Sequence, residues 1–172
     1  MSVNAYLNNI QGAAISWKPS TGTYLMTCSA LASTSARQGA KGDLASGGTA
    51  WAQRWAGLVN YTLGAAVTNG NAVELYWAPS PTSTAGTDNP GGANGTDAAF
   101  ATPAEYKLQL LFLGNLNPSN NAGTGTQIQE FEFFPPTQYG MPVIVNSSGQ
   151  TFTLVEFRIW PIEQASTTTF NG

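Results

Sequence analysis

The stretch Glu130-Phe131-Glu132-Phe133 decides the fold class. Its acids and rings alternate, so an extended chain puts both carboxylates on one side and both phenylalanines on the other. That is the period-2 pattern of a strand with one wet face and one buried face. Pro135-Pro136 close the strand, because neither proline can donate to a ladder. Outward along the chain, Val155-Glu156-Phe157-Arg158-Ile159 repeats the design. It predicts Val155, Phe157 and Ile159 facing the core, with Glu156 and Arg158 in water. Val73-Glu74-Leu75-Tyr76-Trp77 likewise places Val73, Leu75 and Trp77 on one face.

Residues 24–29, 57–63, 106–113, 141–146 and 151–154 read as further strands with less regular alternation. The last can run on into 155–159 as one longer strand. Leu108-Gln109-Leu110-Leu111-Phe112-Leu113 is apolar on both faces, which suits a central strand or part of a subunit interface. Asn69-Gly70 is a turn dipeptide, and residues 146–150 read as a hairpin loop between two strands. Helical periodicity is nearly absent. Roughly seven to nine short strands at regular spacing predict an all-β, single-domain sandwich or barrel of antiparallel strands. The organisation expected is an irregular N-terminal arm over residues 1–22, a β-sandwich over 23–163 and a C-terminal tail over 164–172. Residues 78–102 are the exception, a Gly-, Pro-, Asn- and Thr-rich stretch too long for an ordinary connection. Such a loop in a compact domain is commonly functional or touches a partner.

The composition agrees with an assembled protein. The chain has 172 residues, enough for a real core, and 42% of them are hydrophobic. Only 9% are charged, against about 25% in an average soluble domain. A weakly charged surface costs less to desolvate against another protein, and a low-charge extracellular domain would have the same composition. Lys18, Arg37, Lys41, Arg54, Lys107 and Arg158 are scattered and the net charge is −3, so neither nucleic acid nor an anionic membrane is an expected partner. The start, Met1-Ser2-Val3-Asn4-Ala5-Tyr6, lacks the charged and apolar regions of a secretory signal. No apolar run approaches the ~20 residues of a membrane-spanning helix. Cys28, the single cysteine, is read as a small core hydrophobe.

Catalytic chemistry finds little to stand on, and the chain is not expected to be an enzyme. With no histidine and one cysteine, a Cys–His pair, a Ser–His–Asp triad and a zinc site are all excluded. No P-loop occurs. Glu130 and Glu132 have nothing apolar beside them to raise a pKa, and read as solvated face charges rather than a glycosidase pair. Asp88-Asn89-Pro90-Gly91-Gly92-Ala93-Asn94-Gly95-Thr96-Asp97 could offer oxygens to calcium, but it lacks the spacing of an EF-hand and suits turns better. No cofactor is expected. Asn60, Asn94 and Asn146 each begin an N-glycosylation pattern, which a chain rich in Asn, Ser and Thr produces by chance.

Trp17, Trp51, Trp55, Trp77 and Trp160 are many for this length. Exposed, they could stack on sugar rings and make a carbohydrate- or receptor-binding module. Core packing or a protein interface is the favoured reading. Trp51 and Trp55 share a face if the segment is extended, with Arg54 on the other.

Several segments together resemble a group of tailed-bacteriophage head proteins, the capsid decoration or cement proteins. They are Ala36-Arg37, the run WAQRWAGLVNYTL over 51–63, and residues 72–80. Gly86-Thr87-Asp88, Pro90-Gly91-Gly92 and Gly95-Thr96-Asp97-Ala98-Ala99-Phe100 follow, then 108–116 and MPVIVNSSG over 141–149. The likeness covers about residues 30–160. It implies a jelly-roll β-sandwich of about eight strands that assembles as a homotrimer on the outside of an icosahedral capsid. The partner implied is the major capsid protein, whose neighbouring capsomers it would join. Synthesis would be in the host cytoplasm and the final location the virion surface. Contacts are expected from the N-terminal segment and the long loop, through Tyr6, Trp17, Arg37, Asp88, Asn94 and Asp97.

Overall fold

The computed structural model describes residues 13–45, 51–67, 71–118 and 125–162. The strands are β1 (Ile15–Lys18), β2 (Tyr24–Leu25), β3 (Ala36–Gln38), β4 (Gly42–Asp43), β5 (Trp55–Leu63) and β6 (Val73–Ser80). They continue with β7 (Ala98–Ala99), β8 (Leu111–Leu116), β9 (Gln127–Phe133), β10 (Tyr139–Asn146) and β11 (Phe152–Pro161). A single helical turn, α1 (Pro103–Tyr106), runs into a 3₁₀ turn at Lys107–Gln109.

The strands form two sheets. One has the order β2-β1-β11-β5-β9 and the other β7-β3-β10-β6-β8, with β4 also pairing to β10. All pairings are antiparallel apart from β1 with β2. Setting the short strands aside, β1-β11-β5-β9 faces β3-β10-β6-β8, and only the step from β6 to β8 stays within one sheet. That is the strand order of a jelly roll, two Greek keys wrapped into a sandwich. The fold expected from the sequence is therefore the one observed.

The expected arm over 1–22 is revised by this topology. β1 pairs Ile15 with Ile159 and Trp17 with Phe157, so the sandwich takes in residues 15–18. Segment 24–29 contributes only two residues of strand, held parallel to β1. The loop at 146–150 is not a hairpin: β10 and β11 lie in different sheets, and the segment arches between them. Asn146 holds that arch, donating through Nδ2 to the Leu31 and Gln150 carbonyls and accepting at Oδ1 from the Ser148 amide and hydroxyl. The Asn69-Gly70 turn lies outside the described residues.

The first sheet behaves as the alternation predicts. Along β5, Trp55, Gly57, Val59, Tyr61 and Leu63 are buried while the residues between them are partly open. Phe131 and Phe133 face inward and Glu130 and Glu132 outward, and the strand stops at Phe133 before the two prolines. β11 departs from expectation at one residue. Its ladder to β5 pairs Leu154 with Tyr61 and then Glu156 with Asn60, which leaves Val155 unpaired in a bulge and 42% exposed. Phe152 and Leu154 point inward on one phase, Phe157 and Ile159 on the other. One extra residue between two inward pairs has to be absorbed, and a bulge is how a ladder does it.

The second sheet is buried on both sides. Val73, Leu75 and Trp77 of β6 and Ile144 of β10 join the main core between the sheets. Tyr76 and Ala78 of β6, with Met141, Val143 and Val145 of β10, form a separate cluster on the outer face. Residues 81–110 fold back over this face and supply Ala93, Phe100, Tyr106 and Leu110 to it. The stretch 108–113 is not a central strand. It straddles the 3₁₀ turn and edge strand β8, leaving Leu108 83% and Phe112 52% exposed.

Candidate functional site

The long loop between β6 and β7 is organised around a lysine. Lys41 lies just before β4 and its backbone amide donates to the Gly95 carbonyl at 2.9 Å. Its side chain is buried, with Nζ donating to Ser80 Oγ at 2.8 Å and to the carbonyls of Thr84 at 2.7 Å and Thr87 at 2.9 Å. The Thr82 carbonyl lies at 3.2 Å. An ammonium has three N–H bonds, so the three short contacts take one each and Thr82 shares. Burial pushes the Lys41 pKa below its ordinary value, and the Asp88 charge works against that. These carbonyls belong to the segment just ahead of the Asp88–Asp97 stretch. Among the described residues no group of three or more acidic, Cys or His side chains gathers as metal ligands.

Two further clamps hold the far end of the loop. Asp97 Oδ1 accepts from Arg37 Nε at 3.0 Å, from Arg37 Nη2 at 2.8 Å and from the Thr27 amide at 2.9 Å. Burial raises the Asp97 pKa and is the largest single influence. The hydrogen bonds from Thr27 and Arg37 and the Arg37 charge together outweigh it, so the carboxyl titrates below its ordinary value. Gln38, fully buried, pairs with Asn94 through both ends of its amide.

Of the residues expected at a partner interface, Arg37 and Asp97 pair with each other, Asn94 bonds to Gln38 beside Arg37, and Asp88 lies at the Lys41 end of the loop. Trp17 takes no part in these contacts. It is fully buried between the sheets with its Nε1 donating to the Ala40 carbonyl at 2.7 Å, so it serves the core. A bulky apolar ring flanked by buried partners on a short strand has no path to the surface. Tyr6 lies outside the described residues. Trp55 and Trp77 are fully buried as well, and Trp51 packs partly against the core. Trp160 has the Arg158 guanidinium over its ring at 5.9 Å.

Every basic side chain of the molecule is used internally. Lys18 pairs with Glu156, Arg37 with Asp97, Arg54 with Glu132 and Lys107 with Glu74. Lys41 is caged by the loop and Arg158 is stacked on Trp160. Sequence reading counted Lys41 among the scattered bases, and no signal could have singled it out: its partners are mostly backbone carbonyls, which every residue type carries.

Among the described residues the exposed large apolar side chains are Leu25, Leu108, Phe112, Ile128, Phe134 and Val155. Leu108 and Phe112 stand at the open end of the outer layer, with Phe112 against Tyr76 at 5.3 Å between ring centroids. The backbone edge of β8 beside them is partly blocked, since Gln129 of β9 donates to the Asn115 carbonyl and accepts from the Asn117 amide. That side-chain clamp, with the register shift in the β6–β8 ladder, disfavours strand addition there. A partner at this place would meet side chains rather than an open ladder.

No protein-family model matches the chain, and no curated protein matches it in sequence.

Proposed function

We propose that this protein is a structural, non-enzymatic component of a tailed-phage virion. It decorates the outside of the icosahedral capsid as a homotrimer and cements neighbouring capsomers of the major capsid protein. The observation that carries this reading is the way charge and apolar surface are distributed. All six basic groups make contacts within the chain, while Leu108 and Phe112 stand exposed at one edge of the doubly covered sheet and Ile128 and Phe134 on the other sheet's side. A weakly charged body with exposed apolar side chains suits burial against other proteins. The jelly roll itself supports the reading only weakly, because capsid and lectin domains share it. The likeness of residues 30–160 to decoration proteins is the second support. Threefold repetition would multiply each modest contact into avidity.

Sedimentation equilibrium of the purified protein, alone and with intact virus-like shells, tests the proposal. A trimer that moves with the shells is expected, with weaker co-sedimentation for Leu108→Asp or Phe112→Asp. A monomer that stays behind overturns it.

A further inference from the structure

We propose that the Lys41 ammonium is the resident cation of the long loop, a latch that fastens the outer layer onto the second sheet. Three observations converge on it. The first is the cage itself: Ser80 Oγ and the carbonyls of Thr82, Thr84 and Thr87 close on one nitrogen at 2.7–3.2 Å. Carbonyls of one short segment aimed at one centre are the arrangement by which proteins hold an ion with oxygen ligands. Here the ion arrives on a side chain from the β3–β4 connection.

The second observation is that Lys41 is the one charged donor among the neutral bonds of segment 80–89, which include Asn89 Nδ2 to the Ala85 carbonyl and the Thr82 hydroxyl to that of Thr87. The loop's backbone contacts include Thr87 N to Thr84 O at 3.2 Å and Ala93 N to Pro90 O at 3.1 Å. Around the cage the chain is drawn tight. Asp88 takes a φ of 51°, and Gly95, with a φ of 73°, lies so close to Ala85 that a Cβ there would collide with its backbone. Carbonyls converging in this way repel one another unless a positive donor sits between them.

The third is what the segment leads to. The same excursion carries Ala93 and Phe100 onto Tyr76, Ala78, Met141 and Val143. Ser80 closes β6 directly beneath the cage and Gly95 is bonded to the Lys41 amide, so both ends of the loop are tied to one residue. Without the ammonium, these oxygens would lose their one charged donor and keep only neutral partners, such as the Thr87 amide on the Thr84 carbonyl and the Thr82 hydroxyl on that of Thr87. The loop would open to hydrate them and loosen the cover over the outer face.

Two measurements test the latch. In the wild-type protein, ¹⁵N-edited spectra of the three lysine ammonium groups should show one, Lys41, exchanging with water at least about tenfold more slowly than Lys18 and Lys107. In Lys41→Met, amide protection at Thr87, Ala93 and Ala101 should fall by about tenfold or more, while Val59 and Phe157 change by less than about threefold. In Lys41→Ala, propylammonium should restore loop protection, whereas tetramethylammonium, which cannot donate, should not. An ammonium at Lys41 exchanging as fast as that of Lys18 would overturn the proposal. So would unchanged loop protection, or a loss spread evenly over loop and ladder. If the variants do not fold, the wild-type exchange rate decides.

Discussion

Trp17 of β1 and Trp77 of β6 meet edge to face across the sandwich, their ring centroids 5.6 Å apart and their planes at 87°. One ring comes from each sheet, and both are fully buried. Tyr24 stacks on Trp17 at 5.3 Å, Phe157 meets it edge-on at 5.8 Å, and Phe133 packs on Trp77 at 5.4 Å. Edge-to-face pairs of this kind add about 0.5–1.5 kcal/mol beyond the area they bury. Trp17→Ala should therefore cost about 3–5 kcal/mol of unfolding free energy, measured by urea denaturation. A loss below about 1 kcal/mol would mean that β1 behaves as an arm after all.

Gly140 leaves room for the same indole. A Cβ at Gly140 would lie 2.6 Å from Trp77 Cζ2, whereas a Cβ at Gly86 would meet nothing within 4 Å. Gly140→Ala should lower stability by about 1–3 kcal/mol through overpacking, with Gly86→Ala near neutral. Equal midpoints for the two variants in thermal denaturation would contradict the packing described.

Val155 and Phe157 separate the bulge from the core. Val155→Ala should change stability by no more than about 0.5 kcal/mol, because its side chain stands in water. Phe157→Ala should cost about 3–5 kcal/mol. A large effect at Val155 would place it inside, and the bulge would be wrong.

Asp97 should give the protein an acid-sensitive component. Its folded-state pKa lies below the ordinary value of 3.8, so the unfolded chain takes up the proton first as pH falls. The stability it contributes is complete above the unfolded pKa and is lost as pH drops through the folded one. Asp97→Asn should be less stable at neutral pH by about 1–3 kcal/mol, and the gap to wild type should close below about pH 4. Urea titrations of both proteins between about pH 2 and 7 check this, and a gap that widens in acid would reverse the sign.

Cys28 should be inert. It is buried, and burial pushes its thiol up to about 12, with the nearby Arg37 charge pulling weakly the other way. The native protein should react with a thiol reagent only at its unfolding rate, and in full once denatured. Rapid labelling under native conditions would show a surface the fold does not have.

Much of the first sheet could be read from spacing. Glu130-Phe131-Glu132-Phe133 states its faces outright, and the end at Pro135-Pro136 needs no tertiary information. The bulge at Val155 was legible in principle too, since Phe152 and Leu154 run on one phase and Phe157 and Ile159 on the other. Residues 146–150 misled because a turn-rich loop between two strands looks the same whether the strands pair or arch between sheets. Leu108 to Phe112 misled because an apolar run does not say whether its neighbour is the core or a partner. At the candidate site, Arg37, Asp88, Asn94 and Asp97 were expected only as partner contacts, and Lys41 was passed over among the scattered bases.

By itself the sequence determined an all-β protein with no histidine and a single cysteine. Alternation and residue type are local properties, and they are enough for that. Tertiary structure alone decided that the second sheet is covered on both faces, that Trp17 belongs to the core and that Lys41 is caged. Each depends on segments far apart in the chain meeting in space: residues 81–110 over β6 and β10, β1 against β11, and Ser80 to Thr87 around a lysine some forty positions earlier. Alternation tells which side chains share a face, but only the folded chain supplies what covers it.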